Sequence, residues 1–334
     1  MWQAEPPGRA GPVATAGAGS IALVTQDPAA ARTPAAAAGA PPPALPGPPR
    51  WLRWSFLATT EAVHRLGPWR YRVADLAGTA TFACQPGRAR RTAATYRLAL
   101  PGLDRRAARE MARRSFREYA RTAIDFLWVQ GLPRHQVLAA VRVAGRHHAE
   151  RAAAQGRGGI MVLVHQGSWD VPGPVASALG FHVTAVMDAG GSRALTDLVR
   201  WARARIAVPV VLPDAAARTL LRVLRRGDWV ALLADIPGDT PHVTVPFLGQ
   251  RARFSAAAGL LAARSGAPLL PITCVRRPSG GYLLEAHPPV WVAPDTPPAA
   301  ALLPLLPIFE ASIRRHPEQW FPFDADRLLP PAGG

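Results

Sequence analysis

GGIMVLVHQGSWDVPGP, residues 158–174, decides how the chain is read. Ile160 to Val164 form an unbroken apolar run, the pattern of a strand buried on both faces rather than one with a wet side. His165 follows at the carboxyl end of that strand, where open α/β sheets gather their chemistry. Gln166 and Gly167 turn the chain, Ser168 offers an N-cap hydroxyl, and Pro172 falls in the first turn of a helix, where a missing N–H costs little. His165 and Asp170 therefore stand on the two sides of one tight turn, spaced His-x4-Asp, with the Asp170 carboxylate expected to orient the His165 imidazole.

Downstream of this turn the pattern alternates. Strands are expected at Phe181 to Met187, Val208 to Leu212 and Trp229 to Ala234, separated by helices at Ser192 to Arg205 and Asp214 to Arg226, the second stopped by Gly227. Val243 to Phe247, Leu269 to Val275 and Tyr282 to Ala286 read as further strands, with Ser255 capping a helix that Gly266 ends. A last helix, roughly Ala300 to Arg315, precedes PEQWFPF. Repeated β-α-β units predict an α/β fold, a mainly parallel sheet flanked by helices.

Upstream, Asp104 to Gly131 carries Met111, Ala112, Phe116, Tyr119, Ala120, Ala123, Ile124 and Leu127 at helical spacing, a face for the core or an acyl pocket. Arg106, Arg109, Arg113, Arg117 and Arg121 recur at the same spacing. Like charges so placed repel unless an anion faces them or Glu110 and Glu118 relieve them on a solvated face. Leu138 to Gln155 reads as another helix, with His147 and His148 pointing in different directions at its surface.

The chain divides by composition into an Ala/Pro/Gly-rich segment (1–50), a Trp- and Arg-rich segment (51–87) and an α/β domain (88–330). The first cannot bury enough apolar surface to offset its ordering entropy and is expected to be disordered; it lacks the pattern of a secretory signal. The second has no apolar run of the roughly 18 to 20 residues that a spanning helix needs. It reads either as an interfacial membrane segment or as an amphipathic helix packed on its own domain.

Lysine and asparagine are absent, so all 39 basic residues are arginines, and the net charge of +17 points to anionic partners: phosphate, an anionic membrane or nucleic acid. No nucleic-acid recognition motif or stacking surface appears, which places nucleic acid last. Cys84 and Cys274 form neither a metal-ligand spacing nor a disulfide framework, so no metal is implied.

A carboxylate-oriented histidine can take a proton from a hydroxyl or pass one to a leaving group. Ser168, in Gln-Gly-Ser-Trp-Asp, does not sit in the Gly-x-Ser-x-Gly elbow of a serine esterase, so the substrate is the simpler source of the hydroxyl. A lone His-x4-Asp more often caps or bridges than catalyses. Here it is accompanied by WARARIAV, RRGDWVALLADIPGD, VTVPFLGQRARFSAAAGLLAARSGAPLLPI and HPEQW in order. From about Arg88 to Trp320 the chain resembles the bacterial lipid A lauroyl acyltransferase family, which includes the phosphatidylinositol mannoside acyltransferases. The aspartate of VHQGSWD is closer to the mannoside branch.

The resemblance implies a glycerolipid-acyltransferase-like fold with N-terminal helices. It also implies an O-acyltransferase moving a fatty acyl group from acyl-CoA or an acyl-carrier protein to a hydroxyl of a membrane lipid or glycolipid. No cofactor is needed beyond that donor. His165 is implied as general base with Asp170 holding its tautomer, and Arg203 and Arg205, at the family's Arg-x-Arg, as phosphate ligands. Asp235, Asp239, Gly167 and Ser168 complete the implied substrate-binding set. The implied location is the cytoplasmic face of the cell membrane, peripheral or monotopic, against an anionic surface. FPFDADRL follows HPEQW where lipid A enzymes carry a basic aromatic run, which leaves the acceptor unassigned. A serine-type lipid esterase or thioesterase is the alternative, and a basic nucleic-acid-binding protein the more distant one.

Overall fold

The computed structural model describes residues 47–187, 191–238, 240–323 and 328–329. The expectation of disorder over 1–50 lies almost entirely outside these residues, and Asp239 lies outside them too.

Four helices come first: α1 (Arg50–Leu66), α2 (Arg70–Cys84), α3 (Pro86–Ala99) and α4 (Arg105–Val129). The 51–87 segment is thus not one helix. Gly67, at φ +51°, and Pro68 break it, and Pro86 opens α3 where its missing N–H does no harm. Asp104 caps α4, its Oδ1 accepting the Ala107 N–H at 2.7 Å. Gly78 lets α2 lie directly on α4, since a Cβ there would stand 2.6 Å from the Arg117 Cα and the Phe116 carbonyl oxygen. Asp75 of α2 accepts from Arg117 and Arg121 of α4 at 2.7 Å, while Glu110 holds Arg113 and Glu118 holds Arg121. Much of the arginine stripe is therefore neutralised within the fold.

Next come α5 (Arg134–Ala139), β1 (Val141–Ala144), α6 (Arg146–Ala153), β2 (Gly159–Leu163), α7 (Pro172–Ala178), β3 (Val183–Val186), α8 (Arg193–Arg205), β4 (Val210–Val211), α9 (Pro213–Arg225) and β5 (Trp229–Leu233). The helix expected over Leu138 to Gln155 is not continuous. Val141 and Val143 favour an extended backbone, β1 pairs in parallel with a later strand, and Gly145 turns at φ +70° so close to Ala286 that a Cβ would meet its carbonyl oxygen. The remaining elements are β6 (His242–Phe247), β7 (Gln250–Ser255), α10 (Ala257–Ser265), β8 (Leu269–Arg276), β9 (Tyr282–Ala286), α11 (Pro298–Leu302), α12 (Leu306–Arg315) and β10 (Leu328–Leu329). The expected last helix is divided between α11 and α12 by a 3-10 turn at Leu303–Leu305, beside Pro304 and Pro307.

The fold is α/β. Seven strands form one sheet in the order β1-β9-β8-β2-β5-β3-β4, and β10-β7-β6 form a small antiparallel sheet. From β8 through β4 neighbouring strands are parallel; β9 reverses against β8 and β1 runs parallel to β9. β2 is central and buried throughout. Ile160, Val162 and Val164 pack in one core with Leu220 and Leu224 of α9 and Leu261 of α10. Met161 and Leu163 pack in the other with Val175 of α7 and Leu270 and Ile272 of β8. No described helix is long and apolar enough to cross a membrane.

Candidate active site

β2 and β5 pair in parallel from Gly159↔Trp229 to Leu163↔Leu233, and the Ala234 N–H continues the ladder to the Leu163 carbonyl at 2.9 Å. Extended by two residues, that register sets Asp235 beside His165. Both Asp235 carboxylate oxygens lie 3.0 Å from the His165 backbone N–H, and Oδ1 lies 2.7 Å from imidazole Nδ1. A carboxylate only accepts, so Nδ1 carries the proton and Nε2 presents the lone pair. Asp235 is buried, whereas the imidazole keeps about 22% of its surface exposed.

Asp170 is not the residue that orients His165. Its Oδ1 accepts from Arg203 of α8, at 2.6 Å from Nη2 and 3.1 Å from Nε. What meets the imidazole from this turn is Trp169, edge-on with ring centroids 5.2 Å apart. Close spacing in sequence put the histidine and Asp170 on one turn, but the β2–β5 ladder delivers a different carboxylate to Nδ1. Arg203 has two of its three guanidinium nitrogens committed to Asp170. Arg205 is exposed and stacks over Trp201, with its guanidinium carbon 5.0 Å from the ring centroid.

The turn after His165 is held rigidly. Gly167 has φ +61°, and a Cβ on it would run into the Cys274 carbonyl oxygen. Its N–H donates to Gln319 O at 2.7 Å, its carbonyl accepts from Thr122 at 2.9 Å, and the Ser168 N–H donates to Cys274 O at 3.0 Å. Ser168 does not cap α7, which begins after Val171 without a side-chain cap. Its hydroxyl, fully buried, donates to Asp125 and accepts from Arg276 at 2.6 Å. Ser168 and Gly167 are thus structural parts of the turn. Burial closes the serine to substrate, both as ligand and as nucleophile.

Arg276, at the end of β8, is the hub beneath this turn. It donates to Asp125, Thr122 and Ser168, and to the Glu118 carboxylate at 2.7 Å. Burial alone would lower its pKa, but the Asp125 and Glu118 carboxylates outweigh that and push it up. Asp125 also accepts from Tyr71 at 2.8 Å. Sequence reading missed this network, because Asp125, Ser168 and Arg276 lie 43 to 151 residues apart along the chain and only the fold brings them together.

The HPEQWFPF segment closes the site from the other side. The Phe321 N–H donates to the His165 carbonyl at 3.1 Å, and Gln319 brackets Arg276, accepting from its N–H and donating to its carbonyl. Tyr119, Trp169, Phe321 and Phe323 form an aromatic group next to the imidazole, with centroid separations of 5.0 to 6.1 Å among neighbours. On the α7 side of the sheet, Trp169, Asp170, Arg203, Met161 and Leu163 line a narrow cavity of about 40 Å³. A second cavity of about 40 Å³, lined by Val175, Leu270 and Ile272, shares Met161 and Pro172 with it.

No curated protein matches the chain. The model of the family described as bacterial lipid A biosynthesis acyltransferase matches residues 43–325, a span that takes in the N-terminal helices, the seven-stranded sheet, the His165 turn and HPEQW. With an oriented histidine at the end of its central strand and that match over most of its length, the chain belongs to the bacterial lipid A biosynthesis acyltransferase family and is an acyltransferase of lipid biosynthesis.

Proposed function

We propose that the protein transfers a fatty acyl group from an acyl-thioester, on coenzyme A or an acyl-carrier protein, to a hydroxyl of a membrane lipid or glycolipid. The observation that carries this reading is the 2.7 Å contact between His165 Nδ1 and Asp235, which leaves Nε2 as the base. Nε2 takes the acceptor hydroxyl proton as the oxygen attacks the thioester carbonyl. Asp235 stabilises the imidazolium that forms. The tetrahedral intermediate then expels the thiolate, which recovers the proton from Nε2. Asp170 and Arg203 flank the centre as a fixed ion pair, with Arg203 Nη1 and the exposed Arg205 left to meet donor or acceptor phosphate. The apolar cavities around Met161 and Pro172 suit the first methylenes of the acyl chain.

The esterase reading needs an accessible nucleophile, and the full burial of Ser168 speaks against it. The membrane reading rests on outward apolar residues at helical spacing: Trp51, Trp54 and Ala58 on α1, and Val73, Leu76 and Ala80 along α2 with Trp69 just before it. The family's lipid substrates would then meet the enzyme at the cytoplasmic face. Incubation with acyl-CoA or acyl-carrier protein and a panel of polar lipids, read by mass spectrometry, tests the reaction. An acylated lipid formed only when an acceptor is supplied is the expected outcome; acceptor-independent thioester hydrolysis at the same rate overturns it.

A further inference from the structure

We propose that the protein holds a second, phosphate-binding site, separate from the His165 centre. Between the start of α2, the end of α4, β1 and the β8–β9 hairpin lies a recess of about 500 Å³. That is within the roughly 300 to 1,000 Å³ typical of small-molecule sites. Arg70, Arg142 and Arg277 line it, together with Tyr71, Trp128 and Tyr282, and no carboxylate does.

Among the described residues, none of these three arginines is ion-paired, in contrast to Arg113, Arg117, Arg121, Arg203 and Arg276. Arg70 is held in place by the Gly67 carbonyl at 2.8 Å and by the faces of Tyr71 and Trp128, yet its Nε is buried with no partner. Arg277 Nη2 reaches only the Ser279 hydroxyl, at 2.8 Å. Gathering guanidiniums around one recess without an acid costs electrostatic energy that a bound anion recovers, and their planar donors fit phosphate oxygens. The wall is fixed by close backbone approach: a Cβ on Gly281, at φ +68°, would stand 2.5 Å from the Ala140 carbonyl oxygen.

The phosphate is either lipid-borne or part of a soluble ligand. The lipid source is favoured because Arg70 opens α2 directly after the exposed Trp69, at the head of the outward apolar row Val73, Leu76 and Ala80. The inference does not depend on acyl transfer, since binding is read without any acyl donor.

The test is calorimetric titration of the full chain with inorganic phosphate, comparing wild type with the Arg142→Gln/Arg277→Gln double variant, Arg70→Gln, and the distant exposed Arg225→Gln as a charge control. One saturable site in wild type and Arg225→Gln, weakened at least about tenfold in the double variant, is expected. Arg142 is exposed and Arg277 half-buried, so the double variant keeps the test valid should Arg70→Gln fold poorly. A second arm measures co-sedimentation with phosphatidylcholine vesicles containing phosphatidic acid. Loss of vesicle binding in the double variant, with free phosphate competing in wild type, assigns the site to a lipid phosphate. Unchanged vesicle binding alongside weakened phosphate binding assigns it to a soluble phosphate-bearing ligand. Absence of a saturable site, or equal affinity in the double variant and Arg225→Gln, overturns the proposal.

Discussion

At the scale of single residues, the site turns on which carboxylate holds His165. Asp235→Asn is expected to lower kcat by about 10³- to 10⁴-fold, because an amide no longer enforces the tautomer with Nε2 free, while His165→Ala abolishes transfer. Asp170→Asn, which leaves the imidazole's partner intact and disturbs Arg203, is expected to cost far less; steady-state kinetics of the three variants decide, and the reverse ranking sinks the assignment. Ser168→Ala is expected to keep kcat per folded molecule yet lower stability by about 1 to 3 kcal/mol in urea unfolding, since Asp125 and Arg276 lose a buried partner. His165 was legible because an apolar run ending in a histidine is a local pattern. The role of Asp235 on the imidazole was not, because the register that joins β2 to β5 across 70 residues is a property of the folded sheet. His-x4-Asp was misleading for the same reason: nearness along the chain does not say which way a turn aims its side chains.

Among the elements, α2 and α4 show where periodicity informs and where it stops. The extent of α4 and most downstream strands followed from pattern, but the buried face of α4 was only partly foreseen. Ser115, Thr122 and Asp125 are buried there, whereas Tyr119 stays partly exposed. Polar residues go inward because their partners lie there: Arg276 of β8 and the His165 turn for Thr122 and Asp125, and the Trp320 carbonyl for Ser115, which no apolar count registers. Gly78→Ala tests the α2–α4 contact. Alanine gains about 1 kcal/mol of helix propensity, but a Cβ 2.6 Å from backbone atoms forces the helices apart, at about 1 to 3 kcal/mol. Net destabilisation in urea is expected, and a more stable variant would refute the close contact. Asp75 adds a pH test. Burial alone would raise its pKa, but hydrogen bonds and charge from Arg121 and Arg117 outweigh it, so the folded value is lowered below 3.8. Its contribution is therefore present above the unfolded pKa and lost as pH falls through the folded one. The stability gap between wild type and Asp75→Asn near neutrality should narrow as pH drops below about 4. A gap that stays constant with pH would mean that the Asp75 charge contributes nothing.

For the molecule as a whole, the net charge of +17 is an excess left after every acid is counted, and its distribution is uneven: Asp75, Glu110, Glu118, Asp125 and Asp170 each hold arginines in ion pairs, so the uncompensated charge lies on the other arginines. Attraction to an anionic surface must come from those left over, at about 1 kcal/mol each near the bilayer, alongside the apolar faces of α1 and α2. Deleting residues 51–87 would not separate these contributions, since α2 packs on α4 through Gly78 and Asp75 and its loss would expose the core. Substitution of outward residues does. Trp51, Trp54 and Leu76 are 67%, 68% and 73% exposed, so replacing each with Gln is expected to shift stability by no more than about 0.5 kcal/mol per site. If these side chains enter the interface, where each buries surface worth about 1.5 to 3 kcal/mol, the triple variant should lose at least tenfold in partition onto phosphatidylglycerol-containing vesicles. Raising salt should weaken wild-type partition without abolishing it, because the apolar share is not screened. Partition equal to wild type in the triple variant, with thermal midpoints matched, would show that the outward tryptophans do not meet the bilayer.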